Sequence, residues 1–394
     1  MGWGLIIPVM PKLIAQLKGI AINQASGEGA LLIAAYAITQ FIFAPIIGNL
    51  SDRYGRRPVL LASLLAFGID YIILALAPGY SWLFAGRIIA GITGASFTTA
   101  SAYIADISTP ETRAKNFGLI GAAFGIGFVI GPALGGLLAG FGLRAPFYAA
   151  AVLCLLNALY GYFVLPESLS KENRRHFDWK RANPLGALRL LKKYPGIDGL
   201  ALCFFLIYLA AQAVQGNWSF FTMYRFHWSE STVGLSLAAV GILVGGVQAG
   251  LTRVINPRLG NEKSVYTGLL LYTLGLTLFA FATQGWMMFL ILVPYCLGGI
   301  AGPALQSILA GKVPPNEQGA LQGTLTSLMS LTTIIGPLIM NNLFEYFTSK
   351  QAPIYFPGVF FLLGAVFMLF SAGIAWTVLS RVKGAQNTGT GIPN

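Results

Sequence analysis

The chain runs to 394 residues, of which 56% are hydrophobic and 10% charged, with a mean hydropathy of +0.70. That composition excludes a soluble globular domain and places most of the chain in lipid. The net charge of +12 does not speak for nucleic acid, because the bases gather in alternate loops; Cys154, Cys203 and Cys296 lie far apart, without the spacing of a disulfide framework or a zinc site.

Crossing a hydrocarbon core of about 30 Å takes about 20 helical residues. Twelve apolar segments have that length: 1–21, 29–50, 58–79, 81–105, 116–140, 145–165, 197–221, 231–255, 263–283, 285–311, 318–343 and 354–381. They are too long and too continuously apolar for the alternating faces of a β-barrel, which leaves an all-α bundle of 12 transmembrane helices. With the segments alternating in direction, 19 of the 25 Lys and Arg fall on one set of loops and five on the other. This bias puts both termini and the central loop in the cytoplasm.

The second segment carries Tyr36 and Gln40 and leads into "GNLSDRYGRRPVLL", where Asp52, Arg53, Arg56 and Arg57 fall within six residues. Alternating access needs a cytoplasmic contact that holds one state and can release it. Asp52 suits that task if it meets the unpaired amides at the start of a helix from the other half. Gln318 and Gly319 are the candidate acceptors, and Arg113 is the candidate ion-pair partner. The plainer alternative is that the four charges only fix topology.

In the third segment Asp70 is the only acid deep in a span, and in the fourth Arg87 is the only comparably deep base. An intramembrane carboxylate is costly and marks function by default. Burial that disfavours its charge also lets it bind and release a proton. Asp70 with Arg87 is therefore the candidate proton-coupling pair, against the alternative of a structural brace between two helices. The fifth segment is glycine-rich from Gly118 to Gly136 and contains Pro132, which permits close helix approach. Gly245, Gly246 and Gly250 of the eighth segment are its expected counterpart.

Residues 166–196 form the one long polar break. Asn183 and Pro184 open a short amphipathic helix there, with Leu185, Leu188 and Leu191 on one face, expected to lie on the inner membrane surface. The domain organisation is thus 1–165 as a first six-helix bundle, 166–196 as a cytoplasmic linker, 197–383 as a second bundle and 384–394 as a tail. Beyond the break, Gln212, Gln215, Asn217, Trp218, Gln248, Gln306, Asn341 and Asn342 join Tyr36 and Gln40 as candidate substrate-binding residues. Neutral amides beside aromatics suit an amphipathic organic molecule in an apolar pocket.

The halves match at one offset of 205 residues: Arg53 and Gly55 with Arg258 and Gly260, Gly94 with Gly299, Pro110 with Pro315, Gly118 with Gly323, and Gly131-Pro132 with Gly336-Pro337. Six spans being an even number, the repeats share one orientation in the membrane. No cleavable signal is recognisable, since Met1 leads directly into the first segment, and the offset expects the first helix to begin some eight residues before Met1.

"GNLSDRYGRRPVLL" resembles the loop between helices 2 and 3 of the major facilitator superfamily. "GRIIAGITG", with Arg87 followed by Gly91 and Gly94, is similar to the helix 4 motif of that family. Gly118, Gly127, Gly131, Pro132, Gly135 and Gly136 match its helix 5 pattern associated with antiporters. "AYAITQF", "YIADI", "FGIGFVIGPALGG", "GLSLAAVGIL", "GGIAGPALQ" and "QGALQGTLTSL" look like the tetracycline/proton antiporters and their drug-efflux relatives. Two positions depart from those exporters: Val244 stands where they carry a helix 8 His, and Tyr272 where they carry a helix 9 Asp.

The resemblance implies a proton-coupled antiporter of a bacterial inner membrane that exports amphipathic small molecules as a monomer. Protons, a small-molecule substrate and the lipid bilayer are its expected partners, with no cofactor or metal. The alternatives are a sugar or metabolite uniporter or symporter of the same fold, and a non-transporting receptor. An enzyme is not expected, since His176 and His227 lie outside the spans and no nucleophile or phosphate-loop constellation is present.

Overall fold

The computed structural model describes residues 1–174, 194, 196–314 and 317–387, and the expected amphipathic helix at Asn183 lies outside them. Among the described residues there are sixteen α-helices and no strand. The first apolar segment is two short helices, α1 (Gly2–Ile6) and α2 (Met10–Lys18), separated around Pro8. Then follow α3 (Ile22–Tyr54), α4 (Arg56–Leu76), α5 (Tyr80–Gly94) continued as α6 (Ser96–Asp106), α7 (Pro110–Leu138) and α8 (Ala145–Val164). The second half has α9 (Ile197–Phe226), and α10 (Glu230–Gly246) joined by a π-helical turn at Val247–Leu251 to α11 (Thr252–Leu259). After α12 (Asn261–Ala280) come α13 (Gly285–Leu297), α14 (Ala301–Gly311), α15 (Gln318–Phe347) and α16 (Val359–Asn387). Among the described residues nine helical stretches are long and apolar enough to cross a membrane.

The repeat seen in the sequence recurs in the helix boundaries. Ser96–Asp106, moved by 205 positions, is Ala301–Gly311, so α14 repeats α6 residue for residue. Gly55 ends α3 at φ +105° and Gly260 ends α11 at φ +79°. Both turns need a residue without a Cβ at that φ. Breaks also coincide, at Ala95 between α5 and α6 and at Gly298–Ile300 between α13 and α14.

The chain packs as two compact units, Met1–Pro184 with Ser219–Gly241, and Leu185–Trp218 with Ile242–Asn394. The core of the second is strongly aromatic. Trp218, Phe279, Phe344, Phe360 and Phe361 are fully buried, and Phe279 meets Trp218 edge-on at 5.2 Å between centroids. Large apolar side chains such as Phe163, Leu290, Phe370 and Trp376 stand open on the outside, which is the surface a lipid-embedded bundle presents.

Within the first unit, α7 approaches two neighbours through glycine. Gly131 lies against the backbone of Gly4 in α1, and Gly136 lies against Ser231 of α10, whose hydroxyl donates to the Gly136 carbonyl at 3.0 Å. The α10 side of this approach is made by Gly234 and Gly241, against Pro132 and Val129. At Gly245, Gly246 and Gly250, which belong to the second unit, an added Cβ meets nothing within 4 Å. The two sets respond oppositely to a methyl group. Gly234→Ala forces backbone apart and is expected to cost about 1–3 kcal/mol. Gly245→Ala fills open space in a helix interior and is expected to stabilise by about 0.5–1 kcal/mol. Thermal unfolding of the two purified variants checks the contrast.

Candidate proton and substrate site

The helix that carries Asp70 is held at both ends by charge of the matching sign. At the start of α4, the Arg56 and Arg57 backbone N–H groups donate to the two carboxylate oxygens of Glu167, at 2.9 and 3.3 Å. At its end, the Arg144 guanidinium donates to the Ala75 and Ala77 carbonyls at 3.1 and 2.8 Å. A carboxylate at the amino end and a cation at the carboxyl end both oppose the helix dipole. Asp70 is thus set at a fixed depth in a clamped helix.

Asp70 and Arg87, from α4 and α5, meet. Arg87 Nη2 lies 3.3 Å from Asp70 Oδ2, with Asp70 fully covered and Arg87 2% exposed. The other carboxylate oxygen, Asp70 Oδ1, has no hydrogen-bond partner among the described residues. Gly86 makes room for it, since a Cβ there would lie 2.8 Å away. The pair is therefore made through one carboxylate oxygen, and the other is a buried acceptor without a hydrogen bond, which carries a desolvation cost.

Beside this pair stand Tyr36 and Gln40. The Gln40 amide donates to the Tyr36 hydroxyl at 3.2 Å and to the Gly94 carbonyl at 3.3 Å, tying α3 to the end of α5. Trp3 of α1 stacks on Tyr36 with centroids 6.1 Å apart, and its other neighbour is Arg87, whose guanidinium carbon lies 5.4 Å from the ring centre. Trp3 was not among the sequence candidates, because one more aromatic in an apolar run carries no signal.

The second-half candidates scatter within their own unit. Gln212 lies against Gly336, and Asn341 donates to the Gly216 carbonyl at 3.3 Å. Asn217 and Trp218 are buried, Gln306 is half-buried, and Gln215 and Gln248 are exposed. Asn342 donates to Leu338 one turn back in its own helix, at 2.6 Å.

The charged loop closes on itself. Arg56 pairs with Asp52 at 2.5 Å and with Asp106 at 3.1 Å, and it donates to the Ser51 hydroxyl at 2.6 Å. Ser168 adds a hydrogen bond to Asp106 at 3.1 Å. Arg57 donates to the Tyr162 carbonyl at 2.6 Å, and Arg53 lies over the Tyr54 ring. Gln318 donates to the Ala310 and Val313 carbonyls at 2.8 and 2.7 Å, satisfying the end of α14. The Arg113 side chain lies outside the described residues. Asp106 and Glu167 escaped sequence reading because their partners are 50 or more residues away.

A helical repeat of membrane-crossing length with a buried ion pair in one copy is an architecture that secondary transporters use. The family model of the Major Facilitator Superfamily matches residues 1–251 and 200–390, and the chain belongs to that superfamily. It is 45% identical over 343 residues to the tetracycline resistance protein, class C, of Escherichia coli, covering 87% of this chain and 86% of that one. Its identity to the class G protein of Vibrio anguillarum is 43% over 341 residues, covering 86% and 85%. Among solved structures, that of the nucleoside transporter NupG shares the fold at a TM-score of 0.76 and 15% identity, covering 96% of both chains.

Proposed function

We propose that this protein is a proton-coupled antiporter that exports amphipathic small molecules across a bacterial inner membrane by alternating access. It works as a monomer with both termini in the cytoplasm. The observation that carries this reading is the buried Asp70–Arg87 pair with one carboxylate oxygen unsatisfied. A proton on Asp70 releases Arg87, and loss of that proton restores the pair. The relatives named for tetracycline resistance support efflux as the direction of transport, and tetracycline is the first molecule to test. Tyr36 and Gln40 contact the substrate in the first repeat. Gln212, Gln215, Asn217, Trp218, Gln248, Gln306, Asn341 and Asn342 are the second repeat's candidates. Asp52, Arg53, Arg56, Arg57, Arg113 and Gln318 act at the cytoplasmic gate, while Gly127, Gly131, Pro132, Gly135 and Gly136 hold the span packing that antiport requires.

The test is uptake of tetracycline and of ethidium into inverted vesicles under an imposed pH gradient. Accumulation that rises with the gradient and collapses when it is dissipated by an ionophore supports the reading. Equilibration that ignores the gradient overturns proton coupling and leaves a uniporter.

A further inference from the structure

Trp3 touches both the arginine of the ion pair and an aromatic ring of α3. One of its contacts is the Arg87 guanidinium at 5.4 Å, and the other is the Tyr36 ring, stacked within 13° of parallel. The groups beneath and beside it are closed off: Asp70 and Arg87 are 0% and 2% exposed. Trp3 itself is 41% exposed. In a membrane bundle an open indole can simply face lipid. Here its neighbours are a guanidinium and a phenol whose hydroxyl accepts from Gln40. Charged and polar groups of that kind turn to the bundle interior or to water, not to hydrocarbon.

An aromatic surface that is half open, backed by a cation and stacked on a phenol that a neighbouring amide holds, has the chemistry of a stacking platform. The Trp3–Tyr36 pair supplies a flat apolar face with little conformational entropy left to lose. Gln40 supplies a polar group for orientation. Arg87 behind the indole polarises it, and the cation–π contact fixes the ring plane.

Resting on the efflux reading above, we propose that Trp3 is a specificity-determining residue. A flat aromatic ring of the exported molecule stacks on its open part, so the carrier prefers ring-bearing amphipaths to aliphatic ones. The same indole covers Arg87, so a ligand seated there touches the residue that borders the proton site.

The experiment measures binding to the purified full-length protein and transport in inverted vesicles. The probes are ethidium, which is flat and fluorescent, and erythromycin, which is amphipathic but has no aromatic ring. Trp3→Leu is expected to weaken ethidium binding by roughly 3- to 10-fold, the affinity equivalent of one aromatic pair. Trp3→Phe should stay within about 3-fold of wild type, and erythromycin should be indifferent to both changes. The Phe variant also guards against a folding defect, because it retains the ring. Wild-type ethidium affinity in the Leu variant, or equal weakening of both probes, overturns the proposal and returns Trp3 to plain packing. A wild-type protein that exports erythromycin but not ethidium also overturns it while leaving efflux intact. One that binds and moves neither, nor tetracycline, removes the efflux reading itself and the proposal with it.

Discussion

Asp70→Asn is expected to reduce gradient-driven accumulation in inverted vesicles to the level of passive equilibration, a loss of at least about tenfold, while substrate binding persists in part. Asn keeps the shape of the side chain and removes the site for the proton, so binding also loses the pH dependence that this proton confers. The substitution has a structural cost that must be separated from the functional one. Arg87 is 2% exposed, and removing one partner of a buried pair leaves the other charge uncompensated, at about 3–5 kcal/mol. The double variant Asp70→Asn, Arg87→Gln removes both charges and is expected to recover most of the melting temperature without recovering transport. If the double variant accumulates substrate under a pH gradient, the pair is a brace between α4 and α5 and the proton travels elsewhere.

That pair was legible in the sequence because charge is so rare inside the spans that one acid and one base stand out. The contact between them was not, since Asp70 and Arg87 lie on different helices and only the packing of α4 against α5 brings them to 3.3 Å. The spans themselves were legible because lipid imposes a length on apolar runs, and the repeat because glycine and proline mark backbone positions that both halves need. Interruptions within a span were not. The break around Pro8, the π-helical turn at Val247–Leu251 and the break at Ala95 leave hydropathy unchanged.

The glycine partners of α7 show the limit most plainly. Gly234, Gly241 and Gly245 are spaced by seven and four residues and share one face of α10. The pattern therefore could not say where along that face the close approach ends. Within the first unit it includes Gly234 against Pro132 and Gly241 against Val129. Glu167 and Asp106 make the same point for charge. Near the end of a span, an acid serving a distant arginine or a distant helix terminus looks like any solvated residue.

Arg56→Ala is expected to damage the cytoplasmic loop far more than Asp52→Asn, which separates a latch from a topology signal. Arg56 holds three acceptors on two segments, Asp52 and Ser51 at the end of α3 and Asp106 at the end of α6. Removing the guanidinium leaves two carboxylates facing each other across the space it occupied. These acids are 35% and 24% exposed as side chains, so water relieves part of that repulsion and the cost falls below the fully buried case, at about 1–3 kcal/mol. Asp52→Asn keeps a hydrogen-bond acceptor for Arg56 and leaves Asp106 paired, so its effect on melting should be under about 1 kcal/mol. If the cluster belongs to the gate, both variants slow transport in the order Arg56→Ala beyond Asp52→Asn. Each also shifts the distance distribution between spin labels placed at Tyr54 and Lys312. A pure topology signal behaves otherwise: the loop keeps Arg53 and Arg57 on the same side, the positive-inside bias survives, and neither the distribution nor the rate moves. Lysine at position 56 decides between charge and geometry. It restores the positive charge but cannot reach Asp52, Ser51 and Asp106 together with one ammonium. A gate built on the guanidinium fork therefore stays impaired in Arg56→Lys, whereas charge alone would be rescued.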